Sequence, residues 1–476
     1  MTEPAHTRPT PEEPSAALPF DARDGVMAVA VTDEHAALPV LVSGPLARTI
    51  ASVAFPSVGS IFLLTFFITA DAYWVGTRIG PQGLAAVSTS MFWIWAVVSL
   101  AELCSVGLTA VAARRHGERR PDLAARVVGD ALLLALAMSL VVAAAGQLFL
   151  DGLFAIEHTP PEVTALGKQY LGMYLYGAPL VFGFFTVDAA FRASGDTRTP
   201  LLLLLVSVVA ALALDPVLIL GLGPAPRLGI AGAAVSMLIT RLATLIAGVT
   251  LLVRRGMVRF GRVSLQTIGL IVRIGLPTAV TGVAFSLIYV LLTRTTTHFG
   301  TPALASLGVG HRVESWVYMV GVGFGAAAAA VVGQNLGAHR PDRARRAGWI
   351  ATGFATGVGV VGAVLEYTCA VPFAGFFTHD AAVIAEGAHY LRIGAASTVF
   401  AASELVLEGA LGGAGDTLPP MVTSTFLTAL RIPLAIWAAA RWGTTGIWWV
   451  LSITAMGRGL AMMALWRWGR WERRTV

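Results

Sequence analysis

The chain of 476 residues is too apolar for a water-soluble protein, since 56% of its residues are hydrophobic and only 13% are charged, against about 25% in an ordinary soluble domain. A lipid bilayer accepts that much apolar surface, and each helical crossing needs about 20 apolar residues. The net charge of +6 does not indicate nucleic-acid binding, because the arginines cluster between apolar runs, which is typical of membrane orientation signals.

Residues 1–43 differ from the rest of the chain. They are rich in Pro and Ala and contain seven acidic residues against two arginines. A secretory signal would have a basic start and an apolar core, and this segment has neither. We therefore predict a disordered cytoplasmic tail, in which Met27 is an alternative start site.

From about residue 46 onward, long apolar runs alternate with short polar breaks. Because the runs are long and continuous, and because a backbone in lipid must satisfy its own hydrogen bonds, we predict helices. The predicted fold class is an all-α polytopic membrane protein. Its twelve predicted crossings are 46–79, 84–113, 123–150, 166–191, 200–221, 229–253, 268–299, 303–336, 343–371, 388–411, 418–440 and 445–468.

Arginine clusters mark alternate breaks between the crossings. They lie between crossings two and three, six and seven, and eight and nine, and again after crossing twelve. By the positive-inside rule these breaks, together with both termini, are cytoplasmic. The expected location is the inner (plasma) membrane.

The sequence repeats itself at an offset close to 220 residues. Residues 119–122 recur as 339–342, and Gly195-Asp196-Thr197 recurs as Gly415-Asp416-Thr417. Gly229-Ile230 is matched to Gly446-Ile447 at an offset of 217. An even number of crossings in each half gives both halves the same orientation, which predicts two parallel six-helix repeats about an axis along the membrane normal.

This organisation divides the chain into four parts. They are the tail at 1–43, an N-terminal lobe at 44–255, a cytoplasmic linker at 256–267, and a C-terminal lobe with a short basic tail at 268–476. Two such lobes enclose a central cavity that can open to either side of the membrane, which is the geometry of alternating access.

Two aspartates interrupt apolar helices of the first lobe, Asp71 in the first crossing and Asp215 in the fifth. A charge at the bilayer centre costs about 2.5–3.5 kcal/mol on insertion scales, so we predict that both carboxyl groups are functional. Such a pair can load a proton, or hold Na⁺ when ionised. The alternative is that each aspartate only caps a kinked helix. Pro56 removes a backbone donor and either bends the first helix functionally or is a passive kink.

Further acids lie within the predicted crossings, and we favour structural pairing for them with Arg241 and Arg458 as partners. Glu314 follows Arg312 closely and is expected to be neutralised by it. The two Gly-Asp-Thr turns are predicted to cap helices. The further acids are Asp188, Glu314, Glu404 and Glu408, with Glu102 and Glu366.

The sequence contains no GxSxG, Walker lysine or HExxH motif, which are signatures of hydrolysis, phosphate binding and zinc chemistry. We therefore predict no enzymatic activity and no cofactor. Energy is expected from an ion gradient or an unseen partner.

Several ordered motifs resemble those of the multidrug and toxic compound extrusion (MATE) transporters, and of the DinF-like branch in particular. The resemblance covers residues 46–470 and implies cation-coupled antiport of organic compounds, often cationic drugs, through a V-shaped pair of six-helix lobes. The stretches that carry it are 71–76 with 80–87, 192–200, 214–216 with 229–236, and 312–314 with 332–337.

The resemblance also assigns roles to individual residues. Asp71 and Asp215 correspond to the cation-responsive aspartates and Pro56 to a helix-bending proline. Ser236 resembles the hydroxyl position of the sixth helix, and Tyr170 resembles a tyrosine of the fourth helix that, with Asp188, is a candidate for the substrate lobe.

Two positions depart from the family pattern, because Ala211 and Asp188 stand where asparagines are common. Losing an amide oxygen near Asp215 weakens the case for a Na⁺ cage, which needs several oxygen ligands, so H⁺ coupling is favoured over Na⁺ bound at Asp71 and Asp215. Glu314, Glu404 and Glu408 are the candidate acids of the second lobe.

We therefore predict a secondary active efflux transporter that works as a monomer, with small organic substrates and membrane lipid as its partners. One alternative is a flippase for lipid-linked saccharide, which predicts basic cavity residues and additional helices. The other is a membrane-embedded enzyme, which requires clustered nucleophiles or metal ligands.

Overall fold

The computed structural model describes residues 41–78, 81–157, 161–222, 226–297 and 299–474. Residues 1–40, most of the predicted tail, lie outside the described residues. Nearly all of the described chain is α-helical, and a short 3₁₀ helix at Arg470–Arg473 follows the last α-helix. The helices are α1 Leu46–Arg78, α2 Pro81–Gly117, α3 Pro121–Leu148, α4 Leu150–Glu157, α5 Pro161–Tyr176, α6 Ala178–Ser194, α7 Arg198–Leu220, α8 Ile230–Arg254, α9 Leu265–Thr297, α10 Thr301–Gly337, α11 Pro341–Thr368, α12 Ala370–Phe377, α13 Ala381–Ala414, α14 Leu418–Ala429 and α15 Arg431–Trp468.

The described helices account for the twelve predicted crossings. α5 and α6 are bent by 50° at a one-residue break and together form the fourth crossing. The helical stretch Leu418–Trp468 is 51 residues long, which at about 1.5 Å per residue is more than twice the thickness of the hydrocarbon core. Gly443 interrupts it with φ 59° and ψ −143°, and this turn separates the last two crossings. The all-α polytopic fold is confirmed.

The repeat is visible in the helix lengths. α2 and α10 have 37 residues each, and α3 and α11 have 28 residues each. The sequence did not predict α4 and α12, which have 8 residues each. The backbone repeats as well, because Arg119 and His339 have φ angles of 60° and 56°, a conformation that residues other than glycine rarely adopt.

The register of the repeat changes near the end of each half. Gly229 has φ 58° and ψ −132°, which is nearly the conformation of Gly443 with φ 59° and ψ −143°. The structural equivalent of Gly229 is therefore Gly443, so the sequence match with Gly446 was wrong by three residues. Two Gly-x-x-Gly segments explain the error, since Gly446 is the second glycine of its segment and corresponds to Gly232.

Residues 41–44 are folded rather than part of a disordered tail. The side chains of Leu41 and Val42 are buried, and the Asn335 amide donates a hydrogen bond to the Leu41 carbonyl oxygen at 3.2 Å. The predicted tail boundary at residue 43 was therefore wrong, because apolar burial and carbonyl hydrogen bonds stabilise this short segment against the second lobe.

The two lobes contact each other where the arginine clusters lie, and we call this the arginine-rich face. The Gln334 side-chain amide in the second lobe donates to the Ala193 carbonyl oxygen of the first lobe at 2.8 Å. The Arg114 guanidinium donates to the Arg474 carbonyl oxygen at 2.7 Å. Both contacts join the start or end of one lobe's helices to the other lobe.

Candidate functional site

Asp215 lies near the C-terminal end of α7, one residue before Pro216. The side chain is completely buried. Neither carboxyl oxygen has a hydrogen-bond partner among the residues that the structure describes. A buried carboxyl group without partners is strongly disfavoured in its charged form, so this group is suited to binding a proton or a cation.

The Ser236 hydroxyl on α8 lies close enough to the Asp215 carboxyl group to reach it by rotation, but it is directed elsewhere in this structure. It donates to the Ala211 carbonyl oxygen at 3.3 Å and so joins the backbone of α7 to α8. The helices approach closely because Gly232 has no side chain, and a Cβ there would lie 2.7 Å from the backbone of Leu218. Small residues at such positions allow membrane helices to meet.

The backbone of Asp71 lies in α1, but its side chain is outside the described residues. The preceding turns of α1 contact α7. A Cβ on Gly59 would meet the Leu201 side chain at 3.4 Å, and Phe67 belongs to one buried cluster with Leu204 and Val208. Contacts therefore advance in the same direction along both helices, which run parallel.

Pro56 and Tyr170 occupy interior positions of the first lobe. α1 continues as a helix through Pro56, and the Pro56 carbonyl oxygen accepts a hydrogen bond from the Ser60 hydroxyl at 3.1 Å. Tyr170 is buried on α5 in a cluster with Val75 of α1 and Ile219 of α7. This cluster lies one turn beyond Asp215 along α7.

Asp188 forms an ion pair with Arg192 one turn away on α6, at 2.8 Å. Arg192 also donates to the Ser105 hydroxyl of α2 at 3.1 Å. Arg241, the partner expected from the sequence, instead lies over the Phe184 ring at 4.1 Å. Structural pairing of Asp188 is confirmed, but its direct partner is local.

Two acids of the second lobe, Glu404 and Glu408, lie near one acid of the first lobe, Glu102. Arg458 Nε lies 3.4 Å from Glu404 Oε1, so the predicted pairing of Arg458 is confirmed for Glu404. Glu408 on α13 lies near the same arginine, and both Glu408 and Glu102 of α2 lie near Tyr318 on α10. Three carboxyl groups and one guanidinium therefore lie within electrostatic range of the Tyr318 side chain, which is 43% exposed.

Glu314 is not neutralised by Arg312. Its carboxyl group accepts a hydrogen bond from the Tyr390 hydroxyl at 3.1 Å and lies 3.7 Å from His311 Nδ1. Residues two apart on a helix point to different sides, and Arg312 is exposed. The prediction of local neutralisation by Arg312 was therefore wrong.

Two contacts of the second lobe were not predicted. Tyr390 is the counterpart of Tyr170 at an offset of 220, so the repeat itself held the signal that could have found it. Glu366 is buried, and its Oε2 accepts a hydrogen bond from the Thr398 hydroxyl at 2.6 Å, while Oε1 has no partner within the described ranges. No motif marks this pair.

The two Gly-Asp-Thr turns have different partners. Asp196 accepts hydrogen bonds from the amides of Arg198 and Thr199 at 3.1 and 3.0 Å, which confirms the predicted cap of α7. Asp416 instead pairs with Arg474 Nε at 2.9 Å, so the cap prediction does not hold for the second copy. Pro419 stands where the first copy has Thr199 and has no amide hydrogen to donate. The partner of Asp416 is therefore Arg474, from the C-terminal segment.

Known proteins support this architecture along the whole length of the helical region. The family model described as MatE matches residues 56–217 and again residues 277–437. The chain is 26% identical over 427 residues to the FAD transporter of Shewanella oneidensis, covering 88% of this chain and 94% of the relative. It is also 26% identical to the probable multidrug resistance protein NorM of Thermotoga maritima, covering 90% and 94%.

Solved structures show the same fold. A transporter of the MOP superfamily from Pyrococcus furiosus matches with a TM-score of 0.83 and 22% identity, covering 91% of this chain and 97% of that one. The bent form of the Vibrio cholerae transporter VcmN matches with a TM-score of 0.82 and 21% identity, covering 89% and 97%. The double match of the family model coincides with the two lobes described above. The chain is thus a member of the MatE family, the multidrug and toxic compound extrusion transporters.

Proposed function

We propose that this protein exports organic, predominantly cationic compounds by antiport with H⁺, and that Asp71 and Asp215 carry the coupling ion. The observation that carries the proposal is the Asp215 carboxyl group, which is fully buried and has no hydrogen-bond partner among the described residues. Uptake of a proton removes the cost of burying its charge. Protonation therefore changes the free energy of any state in which this group is buried.

The packing of α1 on α7 supports a role for Asp71 in the same site. Gly59 lies opposite Leu201, and the two helices run parallel. Position 71 is twelve residues beyond Gly59, which corresponds to position 213 on α7 if both helices advance at about 1.5 Å per residue. Asp71 and Asp215 are then at the same depth in the membrane.

The surroundings of Asp215 favour a proton over Na⁺. A Na⁺ ion would need several oxygen ligands, and the residue one turn earlier is Ala211, which has no side-chain oxygen. Among the described residues, the Ser236 hydroxyl is the polar side-chain group close to Asp215, and it donates to the Ala211 carbonyl oxygen. A proton needs only the carboxyl group itself.

The polar groups between the lobes favour an organic cation as substrate. Glu102, Glu404 and Glu408 lie near Tyr318, and the arginines near them are Arg458 for Glu404 and Glu408 and Arg192 for Glu102. Phe62 of α1 and Trp316 of α10 contact each other across the lobes with ring centroids 5.6 Å apart, and aromatic faces attract organic cations. This acidic and aromatic group of side chains differs from the basic residues expected of a lipid-linked saccharide flippase.

An organic anion is the second candidate substrate. The relative from Shewanella oneidensis is named as an FAD transporter, and FAD carries negative phosphates. Arg431 of α15 is buried and hydrogen-bonds the Thr454 hydroxyl at 2.8 Å, so the second lobe does hold cationic groups. An anionic substrate would have to pair with Arg431 or Arg458.

The orientation follows from the arginine-rich face. We assign this face to the cytoplasm by the positive-inside rule, which places both chain ends there and the protein in the inner membrane. Substrate then leaves toward the opposite face, and protons enter from it.

Transport in proteoliposomes tests the proposal. Ethidium, a planar organic cation, is loaded outside vesicles, and its uptake is followed under a pH gradient and separately under a Na⁺ gradient. We expect the pH gradient to drive uptake, and Asp71→Asn and Asp215→Asn each to abolish it. Asp122→Asn, which changes an exposed carboxylate at the start of α3, is the matched control and should transport normally. Undiminished uptake by Asp215→Asn would overturn the proposal. Uptake driven only by the Na⁺ gradient would show that the coupling ion is Na⁺ and not H⁺.

A further inference from the structure

A cavity of about 440 Å³ lies on the arginine-rich face, beside the second lobe. Its walls are the first residue of α1, Leu46, together with residues 339–343 and Arg346 at the start of α11. The cavity has no part in the proposed coupling site, which belongs to α1, α7 and α8 of the first lobe.

The cavity carries an excess of positive charge. Arg340 Nη1 donates to the Val42 carbonyl oxygen at 3.2 Å, and Arg343 Nη2 donates to the carbonyl oxygens of Ser43 and Gly44 at 3.0 and 2.8 Å. Carbonyl oxygens are neutral and leave the guanidinium charge uncompensated. Against three guanidinium groups the lining offers one carboxylate, Asp342.

Two arginines keep unused hydrogen-bond donors. Arg343 Nε is buried and has no partner in the described part of the chain. Arg346 is exposed, and no hydrogen bond or ion pair to it is found within the described residues. α11 begins at Pro341 without a side-chain cap from Arg340, so the positive end of the helix dipole adds to the same potential.

The cavity faces lipid on one side. Arg346 lies on the same face of α11 as Trp349, Val360 and Val364 by helical spacing. These three side chains are 38%, 47% and 56% exposed and point away from the protein. A headgroup at the membrane surface can therefore reach Arg346 while its acyl chains lie along this apolar face.

We propose that this cavity binds the phosphate group of an anionic phospholipid. Guanidinium groups bind phosphate through paired, charge-assisted hydrogen bonds, and basic pockets beside membrane helices on the cytoplasmic side favour anionic headgroups. The occupied site would hold together α11, the 42–44 segment and the start of α1.

The first lobe provides a matched control. At an offset of 220, Arg126 corresponds to Arg346 and Arg120 to Arg340, but Leu123 stands where the second lobe has Arg343. Arg126 is exposed at the start of α3 as Arg346 is at the start of α11. If arginines are only attracted to an anionic membrane surface in general, Arg126 and Arg346 should contribute equally to lipid binding. If the cavity is a specific site, Arg346 should contribute more.

Native mass spectrometry of the full-length protein in detergent tests the proposal, with dioctanoyl phosphatidylglycerol as the probe. Removing one arginine from a membrane-surface site should weaken binding of the first lipid by about fivefold. We expect this loss for Arg346→Gln and no loss for Arg126→Gln, with unchanged thermal unfolding of both variants. Dioctanoyl phosphatidylcholine, which has no net charge, should bind equally to all three proteins.

If both substitutions weaken lipid binding equally, or if neither weakens it, the proposed lipid site is wrong. Inorganic phosphate at matched concentration separates the two sources of the anion. If inorganic phosphate displaces phosphatidylglycerol, the anion site stands but its ligand is soluble phosphate rather than the lipid. If it does not compete, the lipid is required.

Discussion

Gly117 and Gly337 make the same contact on opposite sides of the lobe interface. A Cβ on Gly117 at the end of α2 would clash with the Gln334 carbonyl oxygen of α10, and a Cβ on Gly337 would clash with the Arg114 carbonyl oxygen of α2. Both glycines and both carbonyl positions are related by the 220-residue offset. The pseudo-twofold axis therefore passes between α2 and α10 on the arginine-rich face.

Substitution of either glycine should open this contact. In Gly337→Ala the added methyl group meets a backbone carbonyl that cannot rotate away, so we expect the closed arrangement to lose about 1–3 kcal/mol. The measurement is the labelling rate of a cysteine placed at Gln334, which is buried in the closed interface. Labelling should be faster in Gly337→Ala. Gly353→Ala, where a Cβ meets nothing within 4 Å, should leave the rate unchanged.

Ser236→Ala tests which ion is coupled. The substitution removes a hydroxyl oxygen beside Asp215 and its hydrogen bond to Ala211. If a proton is carried by the carboxyl group, pH-driven ethidium transport should remain within about fivefold of the wild type, since a neutral hydrogen bond contributes about 1 kcal/mol. Complete loss of transport in a folded variant would indicate that the hydroxyl is an obligatory ligand, as for Na⁺.

Arg458→Met should destabilise the second lobe. Arg458 pairs with Glu404 at 3.4 Å and also donates to the Thr428 hydroxyl at 3.1 Å. Removing the arginine leaves a buried carboxyl group without its counter-charge, at a cost of about 3–5 kcal/mol. Thermal unfolding in detergent should show the loss, and the double substitution Arg458→Met with Glu404→Gln should recover part of it. No recovery would mean that the ion pair is not the cause.

We predict that Asp196, which lies outside the membrane-spanning segments, makes a pH-dependent contribution to the free energy of unfolding. Burial alone would raise the pKa of Asp196, but hydrogen bonds from Thr199 and Arg255 hold the pKa below its ordinary value. A depressed pKa stabilises the fold above the unfolded-state value of about 3.9, and the contribution is lost as the pH falls through the folded-state pKa. Asp196→Asn should therefore cost about 1 kcal/mol or less at neutral pH, mainly through loss of the solvent-screened ion pair with Arg255, because an asparagine side chain can still cap the helix.

Unfolding measured at several pH values checks this sign. The difference between wild type and Asp196→Asn should shrink below about pH 4. A difference that grows toward acid pH would contradict the assignment.

Much of the fold was predictable because lipid imposes strict rules on sequence. The apolar runs and arginine clusters predicted the crossings, and the recurrence of the Gly-Asp-Thr turns predicted the repeat. The fold of Leu41 and Val42 was not predictable, because two apolar residues carry no periodic signal and their partners, such as Asn335, are almost 300 residues away in sequence. The predicted match of Gly229 with Gly446 was wrong because both segments contain two glycines three residues apart, which allows two alignments.

The candidate site was less predictable than the fold. The aspartates stood out because charges are rare in apolar runs, but their partners did not. Glu314 pairs with Tyr390 rather than Arg312, and Asp416 pairs with Arg474, because side-chain direction and long-range contacts decide pairing. The position of Asp71 on α1 was predicted, and its role stays a prediction.

Proton release on substrate binding tests the central claim most directly. Ethidium is added to the purified protein in weakly buffered detergent solution, and a pH indicator reports the protons released per transporter. The wild type and Asp122→Asn should release protons, while Asp215→Asn and Asp71→Asn should release none, even at ethidium concentrations that saturate each variant. Unchanged proton release by folded Asp215→Asn would contradict the account.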